Sequence, residues 1–362
     1  MKILHTEWSD GWGGQEIRII NEMIAVREKG VEVFLACRDN AKIKEKALEN
    51  NIQVFILPFR GNVDFKTMFA LMKIVKENAI DIINTHSGKD TWVGGIAAKL
   101  SGAKFIRTRH LSNKIRSGRL NFINELADYV FTTGESVKDD MIKYNRINPS
   151  KIKSIPTGID SDLFNINNFD ISNNRKKYGL SDNEIAIGII AVLREFKRHE
   201  TFIEMAKIVK SKNENVKFFI AGDGPRRFII EDLIKKYKLE DNIILLGHIN
   251  NPEELLSILD IFVLTSDSKE GVPQSVNQAL MMNTAVIATN VGSTRDLKNN
   301  DNFFLVEPND ANIIACHINS LINDEKMLSK YKEESRDYVV NKYSKISMRD
   351  EIIKIYNKIL EK

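Results

Sequence analysis

Short β-rich runs alternate with helix-like segments along almost the whole chain, and this alternation restricts the fold more than any other feature. The first run, "KILHT", leads into an amphipathic segment at 16–29 with Ile17, Ile20, Met23 and Ile24 at helical spacing. Strands separated by helices of about 10–15 residues form βαβ units, in which the strands pair in parallel. The pattern therefore predicts an α/β protein built on parallel sheets.

The alternation occurs twice, and a polar, asparagine-rich stretch at 157–175 separates the two halves. The further predicted helices of the first half are 40–50, 65–78, 90–101, 118–127 and 135–145. Those of the second half are 199–212, 226–238, 252–258, 273–282 and several over 310–361. A chain of 362 residues is long enough for two domains. We predict two Rossmann-like domains, residues 1–160 and 161–342, facing each other across a cleft that holds the ligand, because such sheets bind ligands beyond the carboxyl ends of their strands.

Composition excludes several classes of protein. The chain is 43% apolar and 28% charged, which is typical of a folded globular protein and not of a disordered or fibrous one. Cys37 and Cys316 are far apart, so neither a disulfide framework nor a cysteine-rich metal site is expected. The N-terminus turns polar after five residues and no apolar run reaches about 18 residues. We therefore expect a cytoplasmic protein.

The net charge of +4 is unevenly distributed. Residues 1–160 hold 25 Lys and Arg against 19 Asp and Glu, while the remainder holds 28 against 30. A basic first half suits an anionic partner, although ordinary variation in surface charge gives the same asymmetry. Aromatic residues are not interleaved with the basic ones, so we expect no nucleic-acid partner.

A glycine-rich loop, "WSDGWGGQEIR", follows the first strand. Gly13 and Gly14 let backbone amides approach an anion at a helix N-terminus, and a plain tight turn explains the same residues. The dinucleotide fingerprint is not met because Glu16 stands where its third glycine belongs.

Two histidines follow neighbouring strands of the first half. His86 lies in "NTHSGKD" with Lys89 and Asp90, and His110 lies in "RTRHLS". A single histidine is most often structural, but two at equivalent strand ends favour a binding site. Without a third ligand, a metal site is not expected.

In the second half, "AVLREFKRH" places Arg194 and Lys197 three residues apart as a strand turns into a helix. Both cations can bind one phosphate there, and a solvated basic turn is the alternative. "AGDGPRR" brings Gly222 and Gly224 to the next strand end, where a tight turn can approach a base or ribose. "GIDSDLF" contains Asp160 and Asp162, a spacing found in metal sites of some sugar transferases. It lies in the interdomain stretch and not beside a nucleotide-binding strand, so helix-capping aspartates are the favoured explanation.

The stretch "EGVPQSVNQALMMNTAVIATNVGS" opens on an acidic residue, Glu270, at the mouth of a predicted helix. A carboxylate accepts hydrogen bonds from hydroxyls, and the helix N-terminus favours an anion. A site for both a sugar and a phosphate needs this combination.

In this order, the motifs resemble those of the family 4 glycosyltransferases, retaining enzymes of the GT-B fold. The resemblance covers almost the whole chain. It is carried by the glycine loop, His110, "TGIDSDLF", the Arg/Lys pair, "GDGP" and, above all, the Glu-x7-Glu block that begins at Glu270. It implies that a C-terminal helix at about 343–362 packs back on the first domain.

The resemblance also implies roles for individual residues. Arg194 and Lys197 would stabilise the departing diphosphate, Glu270 would bind hydroxyls of the donor sugar, and His110 would line that sugar. Those expected to bind the donor are Gly13, Gly14, Gly222, Gly224, Gly271, Val272, Pro273, Gln274, Ser275, Val276 and Gln278. Those expected nearer the acceptor are His86, Lys89 and Asp90.

Two positions depart from the family pattern. Gln278 replaces the second glutamate of the block, so the contact with the nucleotide ribose is neutral and weaker. Arg198 replaces a glycine that usually follows the phosphate-binding lysine, which leaves the local turn undetermined.

The expected reaction is transfer of a sugar, with retention, from a nucleotide-diphosphate sugar to a hydroxyl of a glycan or lipid-linked glycan, as in polysaccharide or lipopolysaccharide biosynthesis, without a metal. A cluster formed by Arg107, Arg109, Lys114, Arg116 and Arg119 is expected to dock the protein on the inner face of an anionic membrane. A nucleotide-sugar 2-epimerase and a non-enzymatic sugar-binding protein are the alternatives.

Overall fold

The computed structural model describes residues 1–110, 122–268 and 270–361, and these form two compact units. Unit 1 comprises Met1–Gly158 together with Lys345–Lys362, and unit 2 comprises Ile159–Ser344. Within the described residues, no helix is both long and apolar enough to cross a membrane.

Unit 1 is built on seven parallel strands in the order β3-β2-β1-β4-β5-β6-β7. Its strands are β1 (Lys2–Glu7), β2 (Glu32–Cys37), β3 (Gln53–Ile56), β4 (Ile82–Thr85), β5 (Lys104–Arg109), β6 (Tyr129–Thr132) and β7 (Ile152–Ser154). Its helices are α1 (Gly14–Arg27), α2 (Ile43–Glu49), α3 (Phe65–Asn78), α4 (Gly88–Ser101), α5 (Glu135–Asn145) and α14 (Lys345–Leu360). The strand order reverses between β1 and β4, so the loops after these strands diverge and leave room for a ligand.

Unit 2 repeats this arrangement with six parallel strands in the order β10-β9-β8-β11-β12-β13. Its strands are β8 (Ile185–Ile190), β9 (Val216–Ala221), β10 (Ile243–Gly247), β11 (Ile261–Leu264), β12 (Ala285–Thr289) and β13 (Phe304–Val306). Its helices are α6 (Ile171–Lys177), α7 (His199–Lys210), α8 (Arg227–Lys236), α9 (Pro252–Leu256), α10 (Gln274–Met281), α11 (Ala311–Asn323), α12 (Glu325–Glu333) and α13 (Arg336–Tyr343). The strand order reverses here between β8 and β11.

Each sheet has an apolar core on both faces because its central strands are buried on both sides. In unit 1, α1, α2 and α14 cover one face, while α3 and α4 cover the other. α14 packs against α1 through buried groups: the guanidinium of Arg18 contacts Met348 Sδ, and Tyr356 Oη donates to Glu22 Oε1 at 3.2 Å. The end of the chain thereby completes the layer that its first helix begins.

Two local expectations differ from the structure. The predicted helix at 118–127 begins outside the described residues, and its described part forms only a 3-10 turn at Phe122–Asn124. The buried side chain of Ile123 packs into the core beneath α3 and α4. Asp128 N donates to Phe105 O, and this hydrogen bond begins the pairing of β6 with β5. α6 was not predicted; it starts where Asp170 Oδ1 accepts from Asn173 N at 3.0 Å.

Candidate functional site

The first candidate site lies in unit 2, where the loops after β8 and β11 are joined at the reversal of strand order. Thr265 Oγ1 donates to Lys197 O at 2.8 Å, and Asp267 N donates to Phe196 O at 2.9 Å. β8 and β11 are paired neighbours, so these bonds place the basic loop of one strand beside the acidic loop of the other.

The structure brings two of the predicted catalytic residues, Lys197 and Glu270, into direct contact. Lys197 Nζ donates to Glu270 Oε1 at 2.5 Å, and the two side chains are only 14% and 8% exposed. Ser266 Oγ donates to the same oxygen at 2.5 Å. Within the described chain no donor reaches Glu270 Oε2, and an ammonium group has three donors. The pair therefore retains one acceptor for a hydroxyl and two donors for phosphate oxygens.

Two residues that the sequence analysis did not assign support Glu270. Gly292 adopts φ +54°, and a Cβ at that position would lie 1.9 Å from Glu270 O. Ser266, the second donor to the carboxylate, is itself held by Thr289 Oγ1, which donates to Ser266 O at 2.6 Å. The sequence signal for Gly292 was present in the trailing "NVGS", since glycine tolerates both positive φ and close backbone approach.

Lys197 N donates to Arg194 O at 3.0 Å, but the Arg194 side chain is exposed and forms no ion pair with another described residue, so the structure does not join that side chain to Lys197 and Glu270. Arg198 adopts φ +52° and ψ +48°, in the left-handed region that favours glycine. That conformation explains why a glycine fits this position and why arginine there is strained. Arg198 Nε lies 3.6 Å from Asp267 Oδ2.

The glycines of "GDGP" form a tight turn that packs against the backbone of the loop after β8. Gly222 has φ +146°, and a Cβ would lie 1.9 Å from Ala191 O; at Gly224, φ is +157° and Leu193 O would be 2.7 Å away. Leu193 N donates to Asp223 O at 3.0 Å. The two glycines thus hold the loop that carries Arg194 and Lys197 against the end of β9.

The donor-binding residues predicted around Glu270 form the entry to α10. Pro273 is the N-cap residue of this helix, and Gln274 is its first residue. Val276 is fully buried in the apolar core, so only its backbone is available to a ligand. Gly271 and Val272 before the helix, Ser275 in its first turn and Gln278 in its second are half-buried. Free backbone amides at such an N-terminus favour an anion.

The second candidate site lies in unit 1, at the carboxyl ends of β1, β4 and β5, where three histidines form a continuous chain. His5 Nδ1 and His86 Nε2 lie 2.9 Å apart, and His86 Nδ1 and His110 Nε2 also lie 2.9 Å apart. His5 and His86 are buried, and His110 is half-buried. The structure thus joins the two predicted site histidines and adds His5, which the sequence analysis did not single out.

Burial keeps these histidines neutral. Desolvation, together with the charge of Arg18, lowers the pKa of His5 to about 3. Desolvation also lowers the pKa of His86 and of His110 well below 6.5. Nearby arginines add to the effect for both rings, and the neighbouring histidines add to it for His86. Each ring therefore carries one N–H and one lone pair near neutral pH.

Asp90 is wholly engaged within unit 1. Its Oδ1 accepts from Ser87 N at 2.8 Å and Ser87 Oγ at 2.6 Å, while its Oδ2 accepts from Thr6 Oγ1 at 2.7 Å and His86 N at 2.9 Å. It is fully buried and forms a capping box at the start of α4. This carboxylate holds His86 in place and offers no free lone pair to a ligand.

Glu7, at the end of β1, is a further buried carboxyl group that the sequence analysis did not identify. Burial and the nearby charge of Asp90 raise its pKa to about 8. Its oxygens accept from Ser9 N at 2.7 Å and Gln15 Nε2 at 2.5 Å. The signal available was an acidic residue directly after the first predicted strand, "KILHT".

A cavity of about 720 Å³ opens beside these groups in unit 1. Trp8 and Trp92 line it, and Lys89 Nζ lies 4.0 Å from the centre of the Trp8 ring. Arg109, Gln15, Gly14 and Asn62 also contribute to its wall. Aromatic faces beside fixed cations suit a sugar ring that bears an anionic group.

One expectation for unit 1 changes with the structure, and another stays a prediction. Glu16 Oε2 accepts from Gly13 N at 2.9 Å, so this one amide is engaged within the chain, and the anion site at Gly13 and Gly14 stays a prediction. Arg107 is 2% exposed and donates to Thr85 O and Thr108 O, so it belongs to the interior and not to a membrane-facing surface. Lys114, Arg116 and Arg119 lie outside the described residues.

The aspartates of "GIDSDLF" cap a turn. Asp160 Oδ1 accepts from Asp162 N at 3.0 Å and from Leu163 N at 3.1 Å. Across residues 1–110, 122–268 and 270–361, no group of three His, Cys, Asp or Glu side chains is arranged to hold a metal ion.

Comparison with known proteins identifies the family. The profile of Glycosyltransferase Family 4 matches residues 12–163, and that of Glycosyl transferases group 1 matches residues 170–338. The chain belongs to glycosyltransferase family 4. It is an enzyme that transfers glycosyl groups, and its fold class is GT-B.

Relatives of this glycosyltransferase extend over its full length. It is 28% identical to the UDP-Gal:alpha-D-GlcNAc-diphosphoundecaprenol alpha-1,3-galactosyltransferase of Escherichia coli, across 98% of this chain and 96% of that one. It is 24% identical to the capsular polysaccharide biosynthesis glycosyltransferase CapM of Staphylococcus aureus, across 93% and 92%.

Solved structures share the fold of this glycosyltransferase. A glycosyltransferase from Rickettsia africae superposes with a TM-score of 0.88 at 23% identity, over 99% of this chain and 98% of that one. Anabaena Alr3699/HepE in complex with UDP superposes with a TM-score of 0.86 at 19% identity, over 99% and 100%. At these identities the likeness establishes the fold alone.

Proposed function

We propose that this glycosyltransferase moves a sugar from a UDP-sugar to a hydroxyl of a lipid-linked glycan, with retention at the anomeric carbon. The observation that carries the proposal is the Lys197–Glu270 pair at the strand-order reversal of unit 2, beside the N-terminus of α10. A UDP donor is favoured because the E. coli relative uses UDP-Gal, and a lipid-linked acceptor because that relative acts on a diphosphoundecaprenol glycan.

On the donor side, the two remaining donors of Lys197 and the amides that begin α10 bind the diphosphate, while Glu270 Oε2 accepts from a sugar hydroxyl. The exposed guanidinium of Arg194 closes on the diphosphate from solvent. Negative charge develops on the phosphate as the anomeric C–O bond breaks, and preorganised cations and amides stabilise that charge. Gln278 contributes a neutral contact to the ribose.

In the transfer step, the electron pair of the anomeric C–O bond passes to the phosphate oxygen. The acceptor oxygen forms the new bond on the same face, and its proton moves to the departing phosphate. No carboxylate of the chain acts as a nucleophile in this scheme. Charge on the leaving group is met by side chains and amides, so we expect turnover to persist in excess EDTA.

On the acceptor side, the cavity of unit 1 receives the glycan. Trp8 and Trp92 pack on a sugar ring, and Lys89 and Arg109 bind the phosphate of the lipid linkage. His110 contacts the donor sugar. We assign His86 and Asp90 to positioning, because Asp90 accepts from His86 N and His86 contacts His110.

Thermal-shift measurements with UDP-, GDP-, ADP- and CMP-linked sugars test the donor. Binding raises the melting temperature by mass action, so UDP-sugars should stabilise the chain and the other three should not. A product assay with a polyprenyl-diphosphate glycan then tests the reaction. Stabilisation by another nucleotide class would refute the donor assignment.

The same assay without acceptor separates this reaction from a nucleotide-sugar 2-epimerase. An epimerase converts the donor alone into an isomeric nucleotide sugar, whereas the proposed transferase leaves it unchanged apart from slow hydrolysis. Binding of the donor without any chemistry would instead support a non-enzymatic sugar-binding protein.

A further inference from the structure

Unit 1 exposes four large apolar side chains close together in sequence, a surface that the catalytic proposal does not use. Ile56, Val63, Phe65 and Phe69 are 48%, 77%, 64% and 62% exposed. Phe65 and Phe69 are neighbours on one face of α3 because residues four apart in a helix lie side by side. We call these four residues, together with the exposed cations Arg60, Lys66, Lys73 and Lys76, the α3 surface.

The α3 surface is continuous with a groove of about 470 Å³. Ile56, at the end of the edge strand β3, lines this groove together with Lys66 and Ala70 of α3. The strand end and the helix therefore border one depression, and Phe65 and Phe69 each lie one residue before a residue of α3 that lines it.

The segment that carries the α3 surface is rigidly held. Asp64 caps α3 by accepting from Thr67 N at 3.1 Å, and its other oxygen accepts from Arg60 N at 2.9 Å. Phe59 is 1% exposed and anchors the preceding turn in the core. The exposed apolar groups are thus presented by an ordered frame.

The charge around these side chains is mostly positive, although Asp39 also lines the groove, where it pairs with Lys44 at 2.9 Å. Between residues 56 and 76 the exposed charged residues are all cations: Arg60, Lys66, Lys73 and Lys76. The one carboxylate in this interval, Asp64, is buried in its capping role. Glu77 follows the interval and lies 3.6 Å from Lys73. Apolar groups flanked by lysine and arginine suit the interface of an anionic bilayer.

The α3 surface also adjoins the cavity proposed for the acceptor. Asn62 lines the cavity, and Val63, the most exposed of the four apolar residues, is the next residue in the chain. Arg38 lines the groove and lies 5.8 Å from the ring centre of Trp8, which lines the cavity. A glycan in the cavity would therefore have its lipid end beside exposed apolar side chains.

We propose that the α3 surface docks on an anionic lipid bilayer and presents the lipid-linked acceptor to the cavity of unit 1. Phe65, Phe69 and Val63 insert among the acyl chains near the headgroups, while Lys66 and Lys73 contact lipid phosphates. Docking itself is independent of the proposed transfer reaction, and only the presentation of the acceptor rests on it.

Vesicle flotation of the full chain tests this surface. Vesicles of phosphatidylcholine with about 30% phosphatidylglycerol should bind the protein at low salt, and pure phosphatidylcholine should bind it more weakly. F65S/F69S should reduce binding at least tenfold, and K66E/K73E should remove the preference for anionic lipid. F228S, which changes an equally exposed phenylalanine of unit 2, should bind as the unsubstituted chain does.

Several outcomes would overturn the proposal. One is that F65S/F69S binds the anionic vesicles as well as the unsubstituted chain does, and another is that the unsubstituted chain does not bind them. A third is a dimer in sedimentation that F65S/F69S converts to a monomer, because a second copy of the protein would then cover the surface. UDP-sugar thermal shifts of the same variants should be unchanged, so loss of docking is distinguishable from loss of donor binding.

The histidine chain carries a second, independent inference, about how His110 is protonated. His86 contacts a ring nitrogen at each of its own nitrogens, and a neutral ring has one donor and one acceptor. If His86 accepts from His5, it must donate to His110, and the reverse also holds. The tautomer of His5 therefore fixes that of His110.

The environment of His5, at the buried end of the row of three histidines, determines in which direction the hydrogen bonds between the rings run. His5 Nε2 has no hydrogen-bond partner within the described chain, and neither has Arg18 Nη2. An orphaned N–H in the interior costs more than an orphaned lone pair. The proton of His5 accordingly lies on Nδ1.

We infer that His5, acting through His86, holds His110 with its proton on Nδ1. His110 then meets the substrate as a hydrogen-bond donor through Nδ1 and does not serve there as a base. His5 is a positioning residue in this scheme, and the scheme rests on the proposed contact of His110 with the donor sugar.

Nitrogen-15 NMR of the histidine rings tests the tautomer in the unsubstituted chain: His110 should show a protonated Nδ1 and an unprotonated Nε2. H5F should disturb this signature and lower kcat at least tenfold with less change in KM, whereas H5N, which retains a donor at the same position, should restore both. A protonated Nε2 on His110, or an unchanged signature and kcat in a folded H5F, would refute the relay. If His110 of the unsubstituted chain shows the expected signature but H110A leaves turnover unchanged, the tautomer assignment stands and only the catalytic role of His110 is refuted.

Discussion

At the scale of single residues, the structure distinguishes side chains that face a ligand from those that hold others in place. Lys197 and Glu270 keep free donors and acceptors while they bind each other. Asp90 has the same charged chemistry as Glu270, but its four hydrogen bonds all stay within unit 1. The sequence analysis placed Glu270 at the mouth of a predicted helix and Asp90 shortly after a strand, but it could not show which of them has unused lone pairs.

Lys197→Met should lower kcat by about 30- to 1000-fold, because removing a preorganised charge that stabilises a leaving group costs about 2–4 kcal/mol. The matched control is Lys177→Met, which breaks a surface ion pair with Glu254 at 2.6 Å and should leave turnover within about twofold. Steady-state kinetics with saturating donor measures both. A Lys197→Met enzyme within threefold of the unsubstituted rate would contradict the assignment.

Glu7→Gln should change how stability depends on pH. The pKa of Glu7 is raised from 4.5 to about 8 by burial and by Asp90, so the folded chain holds this proton in a range where the unfolded chain has lost it. Stability supplied by this group is present below pH 4.5 and is lost as the pH rises towards 8, by at most about 1.4 kcal/mol per pH unit.

Urea unfolding between pH 5 and 8.5 checks this prediction. The unsubstituted chain should lose more stability across that range than Glu7→Gln, whose side chain does not titrate. Parallel curves for the two proteins would show that Glu7 is ionised in the folded chain at neutral pH.

At the scale of elements, the loops after the strands depend on backbone conformations that the sequence only partly indicates. Three glycines, Gly222, Gly224 and Gly292, occupy positive φ where a Cβ would meet a carbonyl oxygen. Arg198 has a φ of +52°, close to that of Gly292, without being glycine. The helices and strands followed from periodicity because burial repeats regularly along them, whereas the loop contacts depend on atoms far away in the chain. The prediction of a helix over 118–127 was wrong in its described part, because contacts with residues remote in sequence also determine the structure there.

Gly292→Ala should destabilise the protein by more than about 2 kcal/mol and lower activity, because the added Cβ would collide with the backbone oxygen of Glu270. Gly179→Ala is the matched control: it has φ +69° with nothing within 4 Å of the Cβ position. It should cost only the strain of the left-handed conformation, about 1–2 kcal/mol. Equal losses of melting temperature would show that Gly292 does not support Glu270.

At the scale of the whole molecule, the chain forms two α/β units and then returns its last helix to the first. This return depends on buried polar groups: Arg18 and Glu22 lie 3.3 Å apart with no exposure, and α14 supplies Tyr356 to the same cluster. Burial raises the pKa of Glu22, while Arg18, Tyr356 and Asn84 act in the opposite direction.

Tyr356→Phe should destabilise the protein by about 1–3 kcal/mol, because it removes a donor from a buried carboxyl group. Tyr338→Phe is the control, since its hydroxyl accepts from Lys342 near the surface at 2.9 Å, and it should cost less than about 0.5 kcal/mol. Denaturant unfolding measures both. Equal losses of unfolding free energy in the two variants would mean that the Tyr356 hydroxyl does not stabilise the packing of α14 on α1.

The sequence by itself determined the parallel α/β architecture, the family, and the strand ends at which polar residues gather. Those features are local: hydrophobic period fixes each element, and parallel strands place their carboxyl ends at one edge. Only the tertiary structure decided that Lys197 meets Glu270, that Gly292 supports it, that three histidines form one chain, and that Arg107 is buried. Each of these depends on distance and solvent exclusion between segments remote in sequence, and no periodicity of the chain encodes them.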